Sequence, residues 1–535
     1  MDINCEYVSY ESTGLFTPLT IDYVNGDKKL TPFYNYPVSV EGIKKAIELH
    51  KNLRVDRSIL VNVLKQQYSN IDLTIKQQQN IDSLLNEDTF TITTAHQPVI
   101  FTGPLYFIYK IFHAIRLADE LNAQISDYKF VPVFYMGSED ADIDELGHIN
   151  LNGRKITWNT KQTGAVGRMK VDDELTQIID AIAGEIGVEP FGYDLISLFK
   201  ESYQKGTTIQ QATLTLINLL FRDYGLLVVI PDNAILKAQF NSIVKKELST
   251  QFSHTIVAET ISELSIHYKQ QAAGRDINLF YLFENTRERI EKAGDKFTVK
   301  SLKKEWTLEE IHSEADQHPE RFSSNVILRP LFQETILPNI VFIGGGGETA
   351  YWLELKKLFE VAGIPYPMLV LRNSFLFINK KQIDSLQKLG YIPKDLFKGN
   401  DNLINELVKK ESNKQLSLKV EIENVMLSYN SIKNIASNID ESLAKHTIAL
   451  EYRAIEKLNG LEKKMFRAEK RKFEAQQRQI EKLLQQLFPN GGLQERVENF
   501  SILYARYGKE WMQKVYECSQ GLQQEFAIVE MNPKS

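Results

Sequence analysis

The run Val341-Phe-Ile-Gly-Gly-Gly-Gly-Glu-Thr-Ala-Tyr-Trp352 constrains the fold more than any other segment of this chain. An apolar strand, Ile340 to Ile343, enters a glycine run and leaves as an amphipathic helix. Strand–turn–helix junctions of this kind build α/β sheets. Helix N-termini carry N–H groups without intrahelical partners and a partial positive charge. Glycines let an anion come close to them. Gly345, Gly346, Gly347 and Glu348 are therefore candidate donors to a carboxylate or phosphate, against the plainer reading of a tight turn. The run is no nucleotide fingerprint: no Lys-Ser/Thr follows it, and the third glycine of a dinucleotide loop falls at Thr349.

The rest of the chain supports the same class. Phe90 to Thr94 reads as a buried strand that breaks at Ala95-His-Gln-Pro98. Pro104 suits a first helical turn. Leu105, Ile108, Ile111, Phe112, Ile115 and Leu117 predict a helix to about Leu121. Phe130 to Met136 is the next strand, and strand–helix–strand implies a parallel pair. A polar insertion follows from about Asn150 to Asp194. Then come a helix (Gln210 to Asp223), a strand (Gly225 to Ile230), a helical stretch (Ser242 to Gln271) and a hairpin turning at Ala293-Gly-Asp295. Gly363 closes the helix after the glycine run, and Met368 to Leu371 is a further strand.

After about Lys380 the character changes. Between Asp401 and Phe488, Gly460 interrupts a segment almost free of Gly and Pro, with apolar residues at spacings of three and four. Asp440 as N-cap predicts one helix to Phe488, roughly 70 Å long at 1.5 Å per residue. Such a stripe needs another helix, and an antiparallel coiled-coil hairpin that dimerises satisfies it. The charge run Glu462 to Lys472 reads as a solvated face.

The net charge of −6 disfavours a general nucleic-acid binder. Cys5 and Cys518 make neither a disulfide framework nor a zinc cage, so a reducing cytoplasm is expected. Met1 to Tyr10 does not read as a signal peptide, and no apolar run is long enough to span a membrane.

Polar residues collect at the ends of predicted strands, where ligands bind in open α/β sheets. The first group is His96 and Gln97 with Thr102 and Gly103, backed by Tyr106 and Lys110. His96 suits general acid/base work, and Lys110 suits an anionic group. The second is Gly137-Ser-Glu-Asp-Ala-Asp-Ile-Asp-Glu145, ending near His148. Its carboxylates repel unless an amine, a basic side chain or magnesium compensates. The third is Arg329, Gln333, the glycine junction and Arg372-Asn-Ser374. Arginine suits bidentate carboxylate or phosphate binding, and Arg372 at a strand end is the stronger candidate.

The combined pattern resembles one family. It is carried by Thr102-Gly-Pro-Leu-Tyr106 with Lys110, Glu139-Asp-Ala-Asp142 with His148, Ile277-Asn-Leu-Phe-Tyr281 and His318-Pro-Glu-Arg-Phe-Ser323. Leu328-Arg-Pro330, Gly347-Glu348 with Ala350-Tyr-Trp352, and Leu487-Phe-Pro-Asn-Gly491 with Gln494-Glu-Arg496 complete it. These resemble the bacillithiol biosynthesis cysteine-adding enzymes, a cysteine ligase family, over nearly the whole chain. The resemblance implies an α/β Rossmann-like parallel-sheet core with connecting-peptide insertions and a C-terminal α-helical coiled coil forming a homodimer. It implies that L-cysteine is joined through its carboxyl group to the amine of glucosaminyl-malate, the last step of bacillithiol synthesis. It also implies an association with an adenine nucleotide, ATP or ADP. The domains then read as a helical lead-in (1–89), the core (90–385) with insertions near 150–194 and 240–325, and the coiled coil with terminal helices (386–535).

Departures from the family pattern bear on the site. Many relatives read Gly-Gln-Gln where this chain has Ala95-His96-Gln97. Ala141 replaces a common histidine, and Gly346 stands where proline is frequent. The role of His96 therefore rests on the local argument. On that argument His96 or Glu139 takes the amine proton, Gly345 to Glu348 with Arg372 hold malate carboxylates or a phosphate, and Asp140 and Asp142 hold an ammonium or a metal. Tyr351 and Ser374 belong to the same candidate set. Arg496, Asn499 and Tyr504 are candidates for a second nucleotide pocket, with packing as the competing role. A different amino-acid-activating synthetase and a non-enzymatic coiled-coil assembly protein remain the alternative readings.

Overall fold

A computed structural model describes residues 5–51, 55–271 and 274–531. Its central sheet has five strands: β1 (Thr89–His96), β2 (Lys129–Met136), β3 (Leu227–Val229), β4 (Asn339–Gly344) and β5 (Met368–Leu371). Their spatial order is β5-β4-β1-β2-β3, and every pair is parallel. β1 and β2 run in register from Thr89↔Lys129 to His96↔Met136. After β3 the chain returns to the far side of β1, so the strand order reverses between β1 and β4. That reversal opens a crevice at the carboxyl ends of these two strands.

β2 to β5 form where the sequence is largely apolar on both faces, as a sheet covered on both sides requires, whereas β1 buries threonines beside Phe90 and Ile92. β4 is buried along its whole length. Helix α1 (Tyr106–Gln124) crosses over from β1 to β2 and buries Ile108, Ile111, Phe112 and Ile115. Helix α2 (Arg329–Ile336) precedes β4, and α3 (Gly346–Leu353) follows it directly. The insertion after β3 carries the expected hairpin, Glu291–Ala293 against Lys296–Val299, with Gly294 at φ +64°. The helical stretch expected from Ser242 to Gln271 is broken at Gln251, whose φ is +49°.

Two compact units divide the chain: residues 1–377 with 492–535, and residues 378–491. The division differs from the sequence-based one at both ends of the chain. The N-terminal strand Cys5–Val8 pairs antiparallel with the C-terminal strand Phe526–Met531. Phe500, Trp511 and Val515 join the same buried cluster as Ile108 and Phe134. Residues after 491 thus complete the sheet unit, because their apolar faces find cover there.

In the second unit, α4 (Lys419–Ser437) and α5 (Glu441–Lys470) form an antiparallel hairpin, with Asp440 capping α5 through Ser442 N–H. The long helix expected to reach Phe488 ends at Lys470. A tight turn, Arg471–Phe473, separates it from α6 (Glu474–Leu487). The break lets α6 bury Ile480, Leu483 and Leu487 while the helix Asn400–Glu411 buries Leu403, Ile404, Leu407 and Val408. Burial on both helices outweighs continuity of one helix. Among the described residues, no helix is long and apolar enough to cross a membrane.

Candidate functional site

A cavity of about 580 Å³ opens at the crevice between β1 and β4. His96 and Gln97 enter it from the end of β1, and Gly345 to Glu348 from the junction of β4 with α3. Glu139, Asp140 and Glu145 come from the acidic loop after β2. Phe16, Thr17 and Thr20 also line it, so the N-terminal lead-in is part of the wall. A side chain at Gly346 would meet Thr20 Oγ1 at 2.8 Å, so the lead-in packs closely on the glycine junction.

His96 is held as a neutral imidazole. Its Nδ1 lies 3.0 Å from Gln97 O and its Nε2 3.1 Å from Tyr106 Oη. A carbonyl only accepts, so Nδ1 carries the proton and Nε2 accepts from the tyrosine hydroxyl. Burial, aided by the Lys110 charge, lowers its pKa to about 4. Burial, aided by Glu348, pushes the Tyr106 hydroxyl up to about 12. The expected base role of His96 is therefore disfavoured: its lone pair is occupied and its basicity is low.

Glu139 is also engaged. Its carboxylate pairs with the buried ammonium of Lys237 and accepts from Ser323 Oγ at 3.2 Å. Lys237 reaches Asp232 at 3.5 Å, and Asp232 takes both arms of Arg168 at 2.6 Å. A carboxylate tied into such a chain has its oxygens engaged. Neither Lys237, Asp232 nor Arg168 carries a local sequence signal; each lies in an ordinary helix or loop stretch.

Lys110 does not line the cavity. Its Nζ, on a side chain 1% exposed, donates to Ala95 O at 2.5 Å and to Glu348 Oε2 at 2.6 Å. Burial lowers the Lys110 pKa while Glu348 opposes the shift. Burial also works against the Glu348 charge, yet Lys110 and the Gly345 N–H hold that carboxyl below its ordinary value. The pair is thus ionised, and it fixes the glycine junction from beneath. Because Glu348 Oε2 already accepts from Gly345 N–H at 2.8 Å, an incoming anion has the N–H groups of Gly346, Gly347 and Glu348 left to it. A Cβ at Gly347 would meet nothing within 4 Å, so the approach there is open.

Arg372 lines the cavity but is occupied. It pairs with the fully buried Glu495 at 2.7 Å and donates to Asn373 O and Ser374 Oγ at 3.0 Å each. Burial opposes its charge, but Glu495 raises its pKa on balance. Its guanidinium also lies 5.0 Å from the Tyr106 ring centre. Arg372 and Ser374 are thus structural partners of Glu495, not a free anion clamp.

The cavity's available cations are different ones. Arg329 donates to Tyr351 Oη at 2.5 Å and weakly to Gln333 Oε1 at 3.5 Å. Arg287 donates to Ser323 Oγ and Ser324 O. Arg496 lies over the Phe16 ring, 5.4 Å from its centre. None of the three forms an ion pair among the described residues, and all line the cavity. Sequence reasoning placed Arg496 elsewhere and missed Arg287, which sits in a hairpin that reads as surface.

Other candidates support the walls. Thr102 and Gly103 adopt positive φ in the turn into α1, and Asn499 holds that turn by donating to Phe101 O and Gly103 O. Tyr504 is buried in the core cluster, so Asn499 and Tyr504 pack and do not form a second pocket with Arg496. Asp142 caps a short helix through Glu145 N–H, and His148 Nδ1 bonds Asp144 O; neither lines the cavity. Gln333 is fully buried against Glu334. Gln97 Nε2 donates to Asp140 Oδ2 at 3.2 Å, and among the described residues no cluster suited to a metal ion occurs.

The architecture is thus that of a Rossmann-like α/β enzyme core with a cavity at its switch point, alongside a helical hairpin unit. The N-terminal Rossmann-like domain model of bacillithiol biosynthesis BshC matches residues 3–373, and the C-terminal coiled-coil model of BshC matches residues 375–531. The chain belongs to the bacillithiol biosynthesis BshC family. A Flavobacterium johnsoniae protein named "Putative cysteine ligase BshC" is 39% identical over 98% of this chain and 99% of its own length. Proteins of the same name from Flavobacterium psychrophilum and Bacillus cytotoxicus are 39% and 28% identical, over 98% and 93% of this chain and 98% and 95% of theirs.

Proposed function

We propose that this protein is a cysteine ligase that adds L-cysteine to glucosaminyl-malate in the last step of bacillithiol biosynthesis. The observation that carries the reading is the sorting of charge within one cavity of a BshC-family core. Guanidiniums without ion-pair partners among the described residues (Arg287, Arg329 and Arg496) share that cavity with the carboxylates of Asp140 and Glu145. The first set suits carboxylates or phosphates; the second suits ammonium groups. Both substrates carry both kinds of group.

Amide formation from a free carboxylate is uphill in water, so the cysteine carboxyl needs activation, which a nucleoside triphosphate with magnesium supplies. The unpaired arginines and the N–H groups at Gly346 and Gly347 fit its phosphates. Lys110 and Glu348 hold the glycine junction in place, and His96 orients the Tyr106 hydroxyl toward its own Nε2. We also infer a homodimer through the α4–α5 hairpin. Its support is the exposure of Leu427, Ile435 and Ile439, at 68%, 62% and 74%.

The test is to incubate the purified protein with L-cysteine and glucosaminyl-malate, with and without Mg-ATP, and to follow bacillithiol by mass spectrometry. Product formed only with ATP is the expected result. Product with another amino acid and none with cysteine would favour a different synthetase on the same core.

A further inference from the structure

Amide formation needs a group that removes a proton from the attacking ammonium, and the cavity's carboxylates are not equivalent. Glu139 is bound to Lys237 and Ser323. Glu348 is bound to Lys110 and the Gly345 N–H. Asp140 accepts from Gln97 and from the Asp142 N–H. His96 offers a lone pair that Tyr106 already occupies. Glu145 also lines the cavity, and among the described residues its carboxylate has no hydrogen bond or ion pair. Its backbone is fixed all the same, because Glu145 N–H donates to Asp142 Oδ1 at 3.1 Å. The side chain is thus anchored at its base and free at its tip.

We propose that Glu145 is the general base of the ligation. The inference rests on the ligase reading above. The substrate ammonium transfers one proton to a Glu145 oxygen, leaving a neutral amine and a carboxylic acid. The freed nitrogen lone pair forms the C–N bond at the cysteine carbonyl carbon, activated by a nucleoside triphosphate. The activating oxygen leaves with the electron pair of the broken C–O bond, and the second proton shed by the nitrogen as the amide forms passes to solvent. Two features favour this assignment over Asp140. An acceptor without donors keeps its lone pairs for substrate. Partial burial, with repulsion from Asp140 and Asp142, raises the Glu145 pKa, which strengthens it as a base. Its charge is felt by Tyr106 on α1, and the guanidiniums of Arg287, Arg329, Arg372 and Arg496 line the same cavity.

The experiment compares the wild type with Glu145→Gln and, as a control outside the cavity, Asp144→Asn. Glu145→Gln is expected to lower kcat on the order of 100-fold, with KM for both substrates changed less than about twofold, and to remove the acidic limb of the kcat profile. Asp144→Asn is expected to retain wild-type kcat. A Glu145→Gln enzyme with wild-type kcat and pH profile overturns the proposal and leaves the ligase reading standing. A wild type inactive on this substrate pair under all conditions overturns the ligase reading itself. NMR titration of carboxyl-labelled glutamate, assigned with Glu145→Gln, gives an independent readout. A Glu145 carboxyl titrating at or below the ordinary glutamate value overturns the proposal whatever the substrate; one titrating above it supports the assignment.

Discussion

The sheet unit and the helical unit handle the same residue types in opposite ways. In the sheet unit, charges far apart in sequence are brought together and buried. Arg372 and Glu495, 123 residues apart, are 7% and 0% exposed. In the helical unit, Lys398 instead reaches the nearby Asp395 and Glu406 with its side chain 42% exposed. Apolar residues follow the same trend. β4 buries all of its side chains, while α4 buries none. The sheet unit therefore meets its own needs for partners, and the hairpin presents a stripe that only another surface can cover.

The sharpest way to break this contrast is to remove one ion-pair partner in each unit. Arg372→Ala leaves the Glu495 charge buried and unpaired, a loss of about 3–5 kcal/mol. Lys398→Ala is expected to shift unfolding far less, because exposed pairs contribute little. Urea unfolding of both variants against the wild type measures the difference, and equal losses would erase the contrast.

Acid offers a second test of the sheet unit. His113 is fully buried, bonded between Gly521 O and Asn373 N–H, and burial lowers its pKa to about 4. A histidine whose folded pKa lies below its unfolded value stabilises the fold in its neutral form. That contribution is complete above about pH 6.5 and is lost as pH falls toward 4. His50 and His96 act in the same direction. Unfolding free energy is expected to fall between pH 6.5 and 4, by up to about 3 kcal/mol for His113, and His113→Gln is expected to flatten that fall. A pH-independent midpoint across this window would contradict the burial argument.

The smallest stability change is expected in the hairpin. Ile435→Glu with Ile439→Glu removes exposed apolar surface, so unfolding should shift by less than about 0.5 kcal/mol. Light scattering is nevertheless expected to show a dimer becoming a monomer. An unchanged mass would show that the stripe is covered by something other than a second copy.

Much of the frame was legible beforehand because it is written in local patterns. The strands β2, β4 and β5 announce themselves as apolar runs and β1 as a run of β-branched and aromatic residues, and Gly294 and Gly363 mark turns that need positive φ. The cavity's position was legible through His96, Gln97, Glu139 and the glycine junction, which stand at strand ends. Its working groups were not. Arg372 and Lys110 looked free in sequence and are paired in the fold, whereas Arg287 carried no sequence signal and Glu145 was not distinguished from the other carboxylates of its loop, yet both line the cavity.

The sequence by itself determined the parallel α/β class, the glycine junction, the helical hairpin and the family resemblance. Each depends on the order and spacing of residues a few positions apart. Tertiary structure alone decided that residues 492–531 complete the sheet unit, that the helix ends at Lys470, and which charges neutralise one another. Those outcomes depend on burial and on contacts across hundreds of residues. The energy of a charge is set by what the fold places beside it, and sequence neighbours do not reveal that.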